Sequence, residues 1–122
     1  MTKQEIFNDA VRGLRAQGFQ RCVEVFEDPY NPGDTITACV YFDAPSGRRC
    51  AWGHVDKSLT NADNGSVHRL RDQKRGLAAG LEGTDLQFAM RLQECHDDAE
   101  SPRMMEQSLR QLGEHYELTW PE

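Results

Sequence analysis

Apolar residues near the start of the chain recur at the spacing of a helix. Five of them fall on one face: Ile6, Phe7, Ala10, Val11 and Leu14. Thr2 and Glu5 precede this stripe in the arrangement of a capping box, in which each residue binds the backbone N–H of the other. Gly18 stands where a left-handed residue commonly ends a helix. The pattern therefore predicts an amphipathic helix between Thr2 and Gly18.

The next part of the chain alternates in the manner of β-strands. Residues 19–26 are rich in aromatic and β-branched side chains, and residues 35–42 alternate clearly between apolar and polar. Residues 43–47 have turn chemistry, and residues 48–55 alternate again, which predicts an antiparallel hairpin. On this third strand one face would carry Cys50, Trp52 and His54. We therefore expect a small antiparallel sheet of about three strands.

Helical patterns return in the second half of the chain. Ser66 is a candidate cap for a short helix, and Thr84 for a longer one that runs to about Asp98. Ser101 followed by Pro102 is a strong start signal for a final helix. The fold class predicted is α+β, as one globular domain over residues 1–122. In it the small sheet packs with four helices, three of them C-terminal.

Composition restricts the function. The chain has 122 residues, a net charge of −6 and 38% apolar residues. An acidic surface repels nucleic-acid phosphates and anionic lipids, so direct nucleic-acid binding is disfavoured. The sequence contains no apolar run of membrane-spanning length and no signal-peptide pattern, so we expect a protein of the host cytosol that does not bind membranes.

The candidates for chemistry are two short segments that a small fold could bring together. They contribute the weak metal-ligand candidates Cys50, His54, Cys95 and His96. On an extended strand Cys50 and His54 would lie about 13 Å apart, too far to share one ion. The cysteines also lack the close pairs typical of structural zinc. We therefore predict no cofactor and no catalytic residue. A small metal- or thiol-dependent enzyme using Cys50, His54 and His96 is the alternative.

Aromatic and basic residues are the candidates for binding a partner. If the apolar face of the sheet meets the helices, Tyr41 and Trp52 lie on the opposite face, unless the first helix or the C-terminal tail covers them. Tyr30 falls in a loop, and a basic patch follows the middle of the chain. The predicted binding residues are Tyr41, Trp52, Tyr30, Arg69, Arg71 and Arg75, of types that are common at interfaces.

Two segments carry a resemblance to known proteins. Arg49–His54 reads Arg-Cys-Ala-Trp-Gly-His and Leu92–Asp97 reads Leu-Gln-Glu-Cys-His-Asp, between an opening Gln4–Phe7 and a closing Tyr116–Leu118. The chain resembles a group of short phage and bacterial proteins with a Cys-Ala-x-Gly-His stretch followed by Leu-Gln-x-x-His-Asp. Val55–Ser58 departs from the more apolar, proline-containing stretch of that group.

The resemblance implies a phage or prophage accessory setting and brings no catalytic residues with it. The sequence as a whole favours a non-enzymatic accessory protein of a phage or mobile element. Such a protein would bind and modulate a host protein complex, for example as an inhibitor of a defence system. Besides the enzyme, a virion assembly component is an alternative, and the chain could form a homodimer.

Overall fold

The α+β class is confirmed by a computed structural model, which describes residues 1–122. The chain forms five α-helices, four short strands and one 3-10 helix. In chain order the elements are α1 (Lys3–Ala16), β1 (Val23–Glu27), β2 (Thr35–Cys39), β3 (Phe42–Asp43), β4 (Arg48–Arg49), α2 (Ala51–Val55), α3 (Val67–Asp72), the 3-10 helix (Gly76–Gly80), α4 (Gly83–Asp97) and α5 (Pro102–His115).

The helices that the sequence announces with start signals form, but the prediction of Thr84 as a cap was wrong: α4 begins at Gly83, with Glu82 at the N-cap position and no side-chain cap. The Thr2 side chain accepts a hydrogen bond from the Glu5 N–H, and Glu5 Oε1 accepts one from the Thr2 N–H at 2.9 Å. Ser101 Oγ caps α5 by accepting from the Met104 N–H at 3.1 Å. Because these contacts involve residues three apart, local sequence suffices to specify them.

The expected three-stranded sheet is instead two separate ribbons of two strands each. β1 pairs with β2 from Val23↔Cys39 to Glu27↔Thr35, and β3 pairs with β4 over two residue pairs. The prediction of a third strand over residues 48–55 was wrong beyond Arg49. Cys50 leaves the ladder and begins α2, where its Sγ accepts a hydrogen bond from the Gly53 N–H at 3.2 Å.

The short helix α2 lies at the centre of the core, in contact with α1 and α4. Its Trp52 is the largest fully buried side chain. Gly53 allows close packing, because a Cβ atom there would collide with the carbonyl oxygen of Tyr41. Gly13 on α1 likewise leaves room for the ring of His54, which a Cβ atom at residue 13 would meet. A helix of five residues has little stability of its own, so α2 depends on this packing.

The C-terminal residues are fastened to α1. The Gln4 side chain donates to the Thr119 carbonyl at 2.9 Å and accepts from the Thr119 N–H at 2.8 Å. Trp120 meets the ring of Phe7 edge-on, with 5.9 Å between centroids, and the Arg110 guanidinium lies 4.1 Å above the Trp120 ring. The tail therefore completes the cover over one end of the core. None of the helices combines the length and apolar character needed to cross a membrane.

Candidate functional site

The centre of the protein holds a buried polar network around His96. The His96 side chain is fully buried, and its Nε2 accepts a hydrogen bond from the backbone N–H of Cys22 at 2.8 Å. Its Nδ1 lies 2.8 Å from Asp97 Oδ1. Because Nε2 is an acceptor, Nδ1 must carry the proton and donate it to the carboxylate. The neutral imidazole is the form that satisfies both contacts.

Gln93 extends this network to α2. Its Oε1 accepts from the Trp52 N–H at 2.9 Å, and its Nε2 donates to Asp97 Oδ1 at 3.0 Å. The N-terminus of α2 is thereby tied through α4 to the segment that enters β1. The two segments singled out by sequence do meet, and the hydrogen bond between Gln93 and Trp52 connects them. Asp97 and His96 continue the network to Cys22.

The four metal-ligand candidates do not converge on one point. The cluster that reaches metal-binding proximity is Cys39, His96 and Asp97, whose ligand atoms lie within 4.8 Å of one another. A metal on His96 Nδ1 would move the ring proton to Nε2, where it would face the Cys22 N–H. Two donors would then oppose each other in the core. The hydrogen bonds of His96 therefore match a structural role, in which the ring links two parts of the chain, and do not match metal binding.

The buried thiols are in environments that suppress their reactivity. Burial raises the pKa of Cys50 to about 12, with the Gly53 N–H opposing that rise. Burial also raises the pKa of Cys22 to about 12 and that of Cys95 to about 11. A thiol with such a pKa is almost entirely protonated at neutral pH, so it is a poor nucleophile.

His54 does not act as a base for Cys50. Its Nε2 lies 2.8 Å from Gln17 Oε1, while the Cys50 Sγ is engaged by the Gly53 N–H. Burial, and then the positive charges of Arg49 and Lys57, lower the pKa of His54 to about 4. The side chain is therefore neutral at physiological pH. The geometry supplies no thiolate–imidazole pair.

Two of the predicted binding residues are in the core. Tyr41 is 3% exposed and Trp52 is 1% exposed, so the expectation that their rings face outward is wrong. The reason is that the sheet on which they were placed does not form and α2 fills its position. The Tyr41 hydroxyl donates to the Gly65 carbonyl at 2.8 Å, and burial raises its pKa. Neither ring is available to a partner.

In the predicted basic patch Arg71 and Arg75 are half-buried and bound to neighbouring acidic residues. Arg75 Nε donates to Asp63 Oδ1 at 2.9 Å, and Arg71 Nε to Asp72 Oδ1 at 3.1 Å. Arg69 is exposed without an ion pair. Because nearby carboxylates neutralise most of this surface, it offers little net positive charge to a partner.

Comparisons with protein-family models, with curated proteins and with solved structures found no match. The function is therefore inferred from the residues and contacts of this chain. Of the predicted binding residues, Tyr30 is 89% exposed. It lies in the loop between β1 and β2, and this points to the ribbon that the loop closes.

The ribbon of β1, its loop and β2, residues 23–39, is a surface that sequence patterns did not single out. Val25 is 60% exposed and Phe26 is 43% exposed, although both belong to types that are usually covered. A signal was present: the segment contains four acidic residues and no lysine or arginine. The acidic residues are Glu24, Glu27, Asp28 and Asp34. Below we call residues 23–39 the acidic hairpin.

Proposed function

We propose that this chain is a non-enzymatic accessory protein of a phage or mobile element that binds and modulates a host protein complex, and that it uses the acidic hairpin to do so. The observation that carries the proposal is the exposure of Val25, Phe26 and Tyr30 on this one ribbon. Val25 and Phe26 are adjacent on β1 and therefore point to opposite faces of the ribbon, so each face presents an exposed large apolar side chain, and such residues are typical of interaction surfaces.

The hairpin is also incomplete as a β-structure. Its two strands have no third strand beside them, so both edges carry backbone N–H and C=O groups without a ladder partner. All residues of β1 after Val23 are exposed. An isolated two-stranded ribbon is only marginally stable in water. A partner strand at either edge would supply main-chain hydrogen bonds and cover the apolar side chains.

Charge indicates what the partner is like. The hairpin carries four carboxylates and no cation. A complementary surface would be basic with an apolar centre, since opposite potentials guide association and like charges oppose it. The same charge disfavours a nucleic acid as the direct ligand. A second copy of this chain would bring four more carboxylates to the same ribbon, so a basic host protein is the partner proposed.

The test compares exposed apolar residues of the hairpin with exposed apolar residues elsewhere. The hairpin variant carries Val25→Ser, Phe26→Ser and Tyr30→Ser. The control carries Leu77→Ser and Met104→Ser, which are 47% and 42% exposed in the native protein. Each is used to capture proteins from a bacterial lysate, and the captured protein is then purified and titrated calorimetrically at low and high salt.

We expect the hairpin variant to weaken binding of the purified partner by at least about 100-fold, as loss of several interface anchors does. The control should bind as the wild type does. Binding should also weaken with added salt and with Glu24→Lys. Equal binding by the hairpin variant and the wild type would contradict the proposal. A concentration-dependent dimer lost with the same variant would instead make a second copy the occupant.

A further inference from the structure

A groove around His54 gathers positive charge from three separate parts of the chain. Two adjoining cavities of about 550 and 520 Å³ share Gly13 and His54 as lining residues. Arg12 and Lys57 line the first, and Arg48 lines the second. We call the surface formed by Arg12, Arg48, His54 and Lys57 the His54 groove.

The cations of the groove make no close ion pair, although Asp43 stands opposite Arg48 in the β3–β4 ladder. The side chains of Arg12, Arg48 and Lys57 make no ion pair within the chain, unlike those of Arg71 and Arg75. Asp9 is the one acidic residue among the lining side chains. A net positive groove on a protein with a net charge of −6 concentrates field lines and attracts anions.

The arrangement comes from packing that sequence spacing does not reveal. Arg12 is on α1, Arg48 on β4, and Lys57 follows α2. His54 lies over Gly13, since any side chain at residue 13 would occupy the place of the ring. Burial, then the charge of Arg49 and then that of the groove residue Lys57, lower the pKa of His54 to about 4. The low pKa is consistent with a positive potential in the groove.

We propose that the His54 groove binds a small phosphate-bearing polyanion, such as a diphosphate that is free or part of a nucleotide. Arginine presents a planar set of donors that matches phosphate oxygens, and lysine adds a compact charge. The volumes are in the range of small-molecule sites. This site is separate from the acidic hairpin and does not depend on the function proposed for it.

The experiment titrates ¹⁵N-labelled protein with inorganic pyrophosphate, and separately with a nucleoside diphosphate, at constant ionic strength set with potassium chloride. We expect saturable chemical-shift changes at Gly13, His54 and Lys57 with a submillimolar Kd. Tighter binding of the nucleotide would indicate contacts beyond the diphosphate. Equal binding would confine recognition to the phosphates.

Matched charge reversals decide whether the groove is responsible. Arg12→Glu and Lys57→Glu should each weaken pyrophosphate binding about tenfold or more, because each replaces an attraction by a repulsion. Arg69→Glu makes the same charge change outside the groove and should have less than a twofold effect. All three side chains are exposed, and thermal melting would confirm that each variant folds.

Three results would overturn the proposal. They are shifts that never saturate, shifts that potassium chloride alone reproduces, and an Arg69→Glu effect as large as that of Arg12→Glu. Binding through the acidic hairpin should be unchanged in Arg12→Glu, so failure here would leave the proposed partner interaction standing. Failure of the hairpin variants would likewise say nothing against the groove.

Discussion

The Nε2 atom of His96 accepts a hydrogen bond from the backbone N–H of Cys22 at 2.8 Å, inside the core. This contact joins α4 to the segment that enters the acidic hairpin. It also fixes which ring nitrogen carries the proton. The side chain that the sequence offered as a ligand or a base therefore braces two distant parts of the chain.

Replacing His96 by alanine should lower the free energy of unfolding by about 3–4 kcal/mol. The change leaves the Cys22 N–H without an acceptor and opens a cavity among fully buried neighbours. Urea denaturation followed by circular dichroism measures it. His115→Ala, at an exposed position on α5, should change stability by less than about 0.5 kcal/mol. A similar loss of unfolding free energy in the two variants would show that the hydrogen bond between His96 and Cys22 contributes little to stability.

Gly13→Ala should destabilise the protein by about 1–3 kcal/mol, although alanine is normally the better helix former. The reason is that the new methyl group would collide with the ring of His54. In a His54→Ala background the collision is absent, so the same change should be neutral or stabilising by up to about 1 kcal/mol. A double-mutant cycle measured by thermal unfolding tests this coupling, and additive effects would refute it.

Stability should fall as the pH falls from about 6.5 to about 4, because of His54. Its pKa is lowered from 6.5 to about 4 in the folded protein. Between these values the unfolded chain binds the extra proton and the folded chain does not, so acid favours unfolding. After allowance for partial exposure, the loss from this residue should be about 1–2 kcal/mol. It should be complete below pH 4.

Protonation of Asp56 and Asp63 should lower the stability further at still lower pH, because the pKa values of both carboxyl groups are lowered from 3.8. Burial opposes this lowering in both. Hydrogen bonds from Ser58 and Leu77 outweigh it for Asp56, and the hydrogen bond from Arg75 does so for Asp63. His54→Gln should flatten the stability profile between pH 6.5 and 4 only. An NMR titration in which His54 has a pKa of 6 or more would contradict the assignment.

Thiol labelling of the native protein should follow exposure. Cys39 is exposed, whereas Cys50 and Cys22 are fully buried, so Cys39 should react first with a disulfide reagent. The other two should react only through unfolding, at rates that urea increases. Peptide mass spectrometry identifies the modified residues. Rapid modification of Cys50 in the native state would reveal an open cleft and revive the thiol-enzyme alternative.

Local signals made the helices at both ends predictable. The capping box at Thr2 and the Ser101–Pro102 start act over three residues, so no tertiary information is needed. The loop between β1 and β2 was likewise announced by its prolines and glycine.

The segment after Arg49 could not be assigned in this way. Cys50, Trp52 and His54 alternate with smaller residues, which fits a strand as well as a short helix. Tertiary contacts on all sides of the segment favour the helix over the strand. Gly53 lies against Tyr41, and the Trp52 N–H donates a hydrogen bond to Gln93. Those neighbours are 12 and 41 residues away in sequence, so local pattern contains neither contact. The placement of Trp52 as an exposed binding residue failed for the same reason.

The hydrogen bonds between Gln4 and Thr119 have a consequence for folding during synthesis. The Phe7 ring on α1 is covered partly by Trp120, a residue synthesised near the opposite end of these 122 positions. While residue 120 is still within the ribosomal exit tunnel, that side of the first helix has no cover. Phe7 therefore stays partly uncovered until residue 120 has left the tunnel, and chaperones that bind nascent chains would find the first helix accessible until then.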